Sequence, residues 1–221
     1  MSQVRLIAFT QPVDLEGVAT GEELVAYCAR VSNPSNQLNN GTAAKLLGYM
    51  TRNQHWSPFE MVSATIEIQT TRDIARQILR HRSFSFQEFS QRYAEVQDPP
   101  VIRETRLQDT KNRQASIETT DEALDANWSK AQEGLYDLAM QVYQGALASG
   151  IAKEVARAVL PEGMTASRLY MAGSIRSWIH YVQLRTGNGT QKEHREIAEM
   201  CKLAILHVMP SLKEILNAPQ Q

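Results

Sequence analysis

The chain has 221 residues, 43 % hydrophobic and 21 % charged, and its 23 Lys and Arg against 24 Asp and Glu leave a formal net charge of −1. That balance excludes a disordered chain and disfavours a dedicated nucleic-acid binder, which carries a basic excess. No run of about 18 apolar residues offers a membrane span, and the opening MSQVRLIAFTQPVDLEG has no leader-like apolar region.

Two cysteines, Cys28 and Cys201, form neither a metal spacing nor a disulfide framework. A reducing, cytoplasmic setting is expected, and the length suits one domain over residues 1–221.

Val4 to Phe9 reads as a short strand, followed by a helix over 22–31 that Asn33-Pro34 stops. Thr42 is placed to cap a second helix through Leu46, Leu47 and Met50, ending near Asn53. Val62, Ala64, Ile66 and Ile68 then alternate with polar residues, the period-two signature of a strand with one buried face. Thr71 opens a helix over TRDIARQILRHR, with Ile74, Ala75, Ile78 and Leu79 on one side and Arg76, Gln77, Arg80 and His81 on the other.

SFSFQEFSQRYAE has no helical stripe and reads as an ordered loop. Pro99-Pro100 marks a break, and polar residues 103–122 read as a surface excursion. Leu124, Trp128, Ala131, Leu135, Leu138, Val142 and Ala146 describe a long amphipathic helix ending at Gly150. A short helix carrying Arg157, a strand over Met164–Ala172, and helices over 174–184 and 191–207 complete the pattern, with a last short helix past Pro210. Strands interrupted by long helices without regular alternation predict an α+β fold, a sheet flanked by long helices.

Five arginines, Arg72, Arg76, Arg80, Arg82 and Arg92, and His81 crowd residues 72–92, and the same stretch supplies Ser85, Gln87, Glu88 and Ser90. Cations near a helix C-terminus commonly just complement the helix dipole. Here Arg76, Arg80 and His81 share a face with Gln77, and hydroxyls and one carboxylate follow them. Guanidinium groups grip phosphate bidentately, and such neighbours orient a sugar or base, so a nucleotide pocket is the natural occupant. A basic RNA- or DNA-binding helix-loop is the competing reading, with strongly salt-dependent binding.

Arg80-His81-Arg82, seven residues, then Ser90 resembles the signature of the flavin-dependent thymidylate synthases, also called the thymidylate synthase complementing protein family. HWSPFE at 55–60, the segment at 156–161 and IRSWIHYVQLR at 175–185 fall in that family's order and spacing. Gln87, Ser174 and His180 stand where relatives usually carry Asn. The resemblance implies reductive methylation of dUMP to dTMP, with methylenetetrahydrofolate as carbon donor, FAD as redox cofactor and NADPH as reductant, in a homotetramer with shared sites.

Carried over by position, Gln77, Arg80, Glu88, Phe89, Ser90, Gln91, Arg92, Arg157 and Arg185 would hold dUMP. Ser57, Arg80, His81, Arg82, Glu88, Ser174, Arg176 and His180 would lie against FAD, partly from neighbouring chains. Small-molecule substrates are implied, with no metal, nucleic acid or membrane.

Uracil C5 must become electron-rich before it accepts a one-carbon unit. A cysteine adding at C6 would achieve this, but Cys28 and Cys201 sit among apolar helix neighbours and read as core thiols. A fixed arginine stabilising charge over N3 and O4 is the alternative. From the residues alone Arg185 reads as a dipole partner at a helix C-terminus; the resemblance makes it the catalytic group. No Ser-His-Asp arrangement accompanies Ser90, and His55, His81, His194 and His207 lack metal spacing. Glu193 and His194 read as surface residues, and Trp56, Trp128 and Trp178 as packing.

Overall fold

The structure, a computed structural model, describes residues 2–217. The alternating segment forms β2 (Ser63–Thr71), which pairs antiparallel with β1 (Gln3–Phe9) and with β6 (Ala166–Ser174). The latter carries β3 (Ser85–Glu88) on its other side, so the sheet order is β1-β2-β6-β3. Opposing Ile66 with Met171 and Ile68 with Leu169 collects the apolar side chains on one face.

Helices cover that face: α1 (Gly21–Ala29), α2 (Ala43–Arg52), α3 (Arg72–Ile78), α6 (Ile175–Arg185) and α7 (Lys192–Val208) contribute Val25, Leu47, Ile74, Trp178 and Ile197 to one core. Each fully buried aliphatic side chain there contributes roughly 1.5–3 kcal/mol. Trp178 is fixed as well as buried, because its Nε1 donates to the Ala64 carbonyl at 3.1 Å. The fold is α+β, as the element pattern predicts.

Several expectations are corrected. The helix after Thr71 stops at Ile78, not Arg82: His81 N–H turns back to Ile78 O at 3.1 Å, tightening the chain and swinging the imidazole toward α6. The segment read as a loop contains β3, whose Phe86 opposes Met171; four alternating residues are too few to show a period. Phe84 lies so close under Gly173 that any Cβ there would collide with its ring. Thr42 precedes α2 without a capping bond, and its hydroxyl instead accepts from Arg30 Nη2 at 2.8 Å.

The 103–122 excursion is not shapeless. It holds a two-stranded ribbon, β4 (Arg106–Gln108) and β5 (Ser116–Glu118). Beyond it runs α4 (Glu122–Ala148), capped by Asp121, followed by α5 (Lys153–Ala156). The stripe read as the buried face of α4 is exposed: Trp128 is 49 % accessible, Leu135 57 % and Leu138 58 %. Gln132, Tyr136, Ala139 and Tyr143 are buried in its place, roughly a quarter-turn around the helix. After α7, Met209 leads into a 3-10 turn and α8 (Lys213–Asn217).

Candidate active site

One stripe of α6 organises the first group of residues. Ser174 caps the helix, its Oγ accepting from Ser177 N–H at 3.3 Å, and Ser177 Oγ donates to Ser83 O at 3.1 Å. Phe84 packs edge-on against Trp178 with centroids 4.8 Å apart, and His81 against Tyr181 at 4.9 Å. Arg185 Nε donates to His81 Nε2 at 2.9 Å. Positions 174, 177, 178, 181 and 185 recur at helical spacing, so the loop after α3 is strapped along a single face. Arg80 and Arg82 on that loop remain exposed.

A second group lies on another side of the same helix. His180 meets Trp56 edge-on at 5.0 Å, and Arg176, one turn earlier, pairs with Glu60 at 2.5 Å. Ser57 begins the 3-10 turn Ser57–Met61, which carries Glu60 and follows directly on Trp56.

The third group follows β3. Glu88 accepts from Ser167 Oγ at 2.7 Å, with Arg72 Nη1 3.6 Å away. Phe89 N–H continues the pairing to Arg168 O at 2.8 Å. Ser90 Oγ accepts from Arg92 N–H at 3.4 Å, and Gln91 is buried with its Nε2 unpartnered. Arg92 pairs with Glu154 at 3.2 Å, and Arg157, half-buried, opens the 3-10 turn after α5.

The residues expected on the nucleotide are thus divided. Arg80 and Arg185 belong to the α6 group, to which Gln77 is linked only through His194 and Tyr181, whereas Glu88 to Arg92 and Arg157 belong to the third. Those expected on the flavin divide too: Arg80, His81, Arg82 and Ser174 in the first group, Ser57, Arg176 and His180 in the second, and Glu88 in the third. Arg76, read as sharing a face with these, pairs instead with Glu162.

The electrostatics favour neutral imidazoles. Burial, reinforced by Arg185, lowers the His81 pKa to about 4. Burial with Arg185 and His81 takes His194 to about 3. His180 is lowered by burial and Arg176, against the opposing pull of Glu60. Burial raises the thiol pKa of both cysteines, far more at fully buried Cys201, which disfavours a thiolate.

His194 corrects the surface reading outright, being fully buried between Gln77 and Tyr181. Glu193 is also largely covered, with 15 % of its side chain accessible. His194 falls in register with Ile197, Ala198, Cys201 and Ile205, the buried stripe of α7, and that spacing is the signal that could have located it.

The donor chemistry fits a flavin dinucleotide. Arg80 and Arg82 are exposed guanidiniums on the strapped loop and Arg176 on α6 supplies a third guanidinium, a donor type that grips phosphate oxygens bidentately. A cleft of about 890 Å³ opens beside β6, with Phe89, Arg103, Ser167 and Glu193 among its walls. It includes none of Arg80, His81, Arg82 or Arg185, so it is separate from the strapped loop.

Residues 15–211 match the thymidylate synthase complementing protein family. A probable flavin-dependent thymidylate synthase of Paramecium bursaria Chlorella virus 1 is 53 % identical over 213 residues, covering 96 % of this chain and 98 % of its own. The flavin-dependent thymidylate synthase of a Synechocystis strain is 49 % identical over 216 residues, covering 97 % and 99 %. Among solved structures, the UMP/dUMP methylase PolB of Streptomyces cacaoi bound with 5-Br dUMP superposes with a TM-score of 0.84 at 30 % identity, over 99 % of this chain and 96 % of that one.

Proposed function

The chain belongs to the thymidylate synthase complementing protein family, and on that premise we propose that it methylates dUMP at C5 to give dTMP. The balanced reaction is dUMP, methylenetetrahydrofolate, NADPH and a proton giving dTMP, tetrahydrofolate and NADP⁺. FAD, when bound, passes the two electrons that bring the transferred carbon to the methyl level. The whole chain forms one catalytic domain, and its two free thiols suit a reducing, cytoplasmic setting.

The observation that carries this reading is the contact of Arg185 with His81. A partly buried guanidinium held by a neutral imidazole is preorganised to stabilise negative charge developing on N3 and O4 of the pyrimidine. Arg80, Arg92 and Arg157 are assigned to the nucleotide, with Gln77, Glu88, Phe89, Ser90 and Gln91 around them. The unpartnered Nε2 of buried Gln91 supports that assignment, since such an atom lacks a partner a ligand would supply. Ser57, Arg80, His81, Arg82, Glu88, Ser174, Arg176 and His180 are assigned to FAD.

These residues stand in separate groups on one chain, as sites shared between chains would require. The exposed apolar stripe of α4 supplies a surface for assembly, and a homotetramer is the state proposed.

The test is turnover by the purified protein with dUMP, methylenetetrahydrofolate and NADPH. A flavin spectrum and stoichiometric dTMP are expected. A protein that neither carries nor takes up FAD, or makes no dTMP, overturns the reading. UMP belongs in a parallel arm because the Streptomyces cacaoi methylase has also been solved with 5-Br UMP. The family premise predicts preference for dUMP.

A further inference from the structure

A hydrogen-bond chain with a fixed direction enters this site from the start of α7. Its origin is Glu193, whose carboxylate can only accept. Burial alone would raise its pKa, but its own N–H, Arg103, Gln191 and Arg106 outweigh burial and hold it below the usual value. Arg106 Nη2 lies 2.5 Å from Glu193 Oε1 and Arg103 Nη1 3.5 Å.

The other oxygen, Oε2, accepts from Gln191 Nε2 at 2.9 Å. That pins the Gln191 amide, whose Oε1 then accepts from Gln77 Nε2 at 2.8 Å. Gln77 is pinned in turn, and its Oε1 faces His194 Nδ1 at 3.3 Å. The ring proton therefore belongs on Nδ1, leaving Nε2 to accept from the Tyr181 hydroxyl at 3.2 Å.

Either amide, or the ring, could turn over in isolation. The carboxylate at one end removes that choice at every step, and a mismatched pair is disfavoured, most of all at buried His194 and Tyr181.

We infer that Glu193 and His194 are positioning residues for the nucleotide: they hold the Gln77 amide so that it offers the pocket an N–H rather than a carbonyl. One Nε2 hydrogen of Gln77 goes to Gln191; the second is left for an acceptor oxygen of the nucleotide. This also gives the 103–122 excursion a purpose, since Arg103 and Arg106 hold the origin of the chain in place. The inference rests on the assignment of Gln77 to dUMP made above.

The experiment compares the holoenzyme with His194→Leu, His194→Gln and Glu193→Gln by steady-state kinetics, flavin content and melting temperature. His194→Leu removes both polar ends and is expected to raise KM for dUMP about tenfold, with kcat within about threefold and flavin content unchanged. Glutamine supplies one donor and one acceptor, so His194→Gln is expected to return KM to within about threefold of wild type. Glu193→Gln, which lets the chain reverse, is expected to raise KM in the same sense.

Loss of kcat, flavin and melting temperature together in His194→Leu, without rescue by glutamine, would make the residue structural and overturn the inference. A second readout needs no substrate: ¹⁵N resonances of labelled His194 should report the Nδ1–H tautomer, and Nε2–H overturns the inference. If wild type turns over dUMP but KM stays unmoved in His194→Leu, the positioning role alone falls. If wild type does not bind dUMP, the functional reading falls first and the positioning role with it.

Discussion

Arg185 Nε stands 2.9 Å from His81 Nε2, joining two residues 104 positions apart in the chain. A guanidinium is a permanent donor, so the imidazole must accept through Nε2 and keep its proton on Nδ1. The pair therefore requires a neutral histidine, and burial with the charge of Arg185 provides one by lowering its pKa to about 4.

That relationship predicts how stability depends on pH. His81 and His194 titrate at about 4 and about 3 in the folded protein, against roughly 6.5 unfolded. Between those values the unfolded chain binds more protons, so the contribution is complete above about 6.5 and is lost as pH falls toward 4. Carboxylates held low, such as Glu193, act below their ordinary 4.5, so the range from about pH 5 to 6.5 isolates the imidazoles. Urea midpoints should be lower at pH ~5 than at pH ~7, and His81→Gln should narrow the gap. Equal midpoints at both pH values would contradict the neutral-imidazole account.

Arg103 ties the excursion to the rest of the fold. Its Nη2 reaches Asp73 at 2.7 Å and Thr71 Oγ1 at 2.5 Å, and its Nε donates to Gly163 O at 3.2 Å. Gln132 on α4 holds the same residue's backbone N–H and carbonyl. Removing one member of a largely buried ion pair leaves the other uncompensated, so Arg103→Ala should destabilise by about 3 kcal/mol, the lower end of the usual range because Asp73 is partly exposed. For a chain of this size that is a fall of ~6–12 °C in melting temperature. An unchanged melt would show that the excursion is anchored elsewhere.

Assembly can be tested on α4. Leu135 and Leu138 are more than half exposed on one stripe with Trp128 and Val142, an apolar surface that one chain leaves uncovered. Leu135→Lys with Leu138→Lys should lower the mass seen by light scattering and release flavin, because a buried unpaired ammonium is strongly disfavoured. A smaller species that retains its full flavin would defeat the shared-site arrangement.

The sheet was legible wherever a period ran long enough. Val62 to Ile68 alternate over four apolar positions, and all but Val62 lie in β2, one of the two inner strands, whereas β3 offers only four residues. The end of α3 is not legible because Arg80, His81 and Arg82 continue its helical spacing; a long-range bond from Arg185 to His81 accompanies the turn toward α6. His194 differs for the opposite reason: its polarity suggests the surface, although it shares a register with buried Ile197 and Cys201. The stripe on α4 was correctly seen as apolar, but a period reports that a face is to be covered, not which chain covers it. Gln191 and Tyr181 carried no local signal, since their role depends on donors and acceptors brought from three helices.

The sharpest chemical test separates two ways of activating uracil. A cysteine mechanism requires a thiolate at the substrate, and a Cys28→Ala, Cys201→Ala double variant would then make no dTMP. Cys201 is fully buried in α7, and burial raises the thiol pKa of both residues, so neither is poised as a nucleophile. The double variant should keep most of its activity and lose about 1 kcal/mol of stability. Arg185→Ala should do the reverse. It removes the charge aimed at the developing anion, and a donor of that kind is worth ~10²- to 10³-fold in rate. Its flavin should still be reduced by NADPH, because the proposed role of Arg185 is toward the nucleotide. Anaerobic flavin reduction and dTMP formed per enzyme, measured on both variants, decide the matter: an inactive cysteine variant beside a normally active Arg185→Ala would defeat the arginine mechanism.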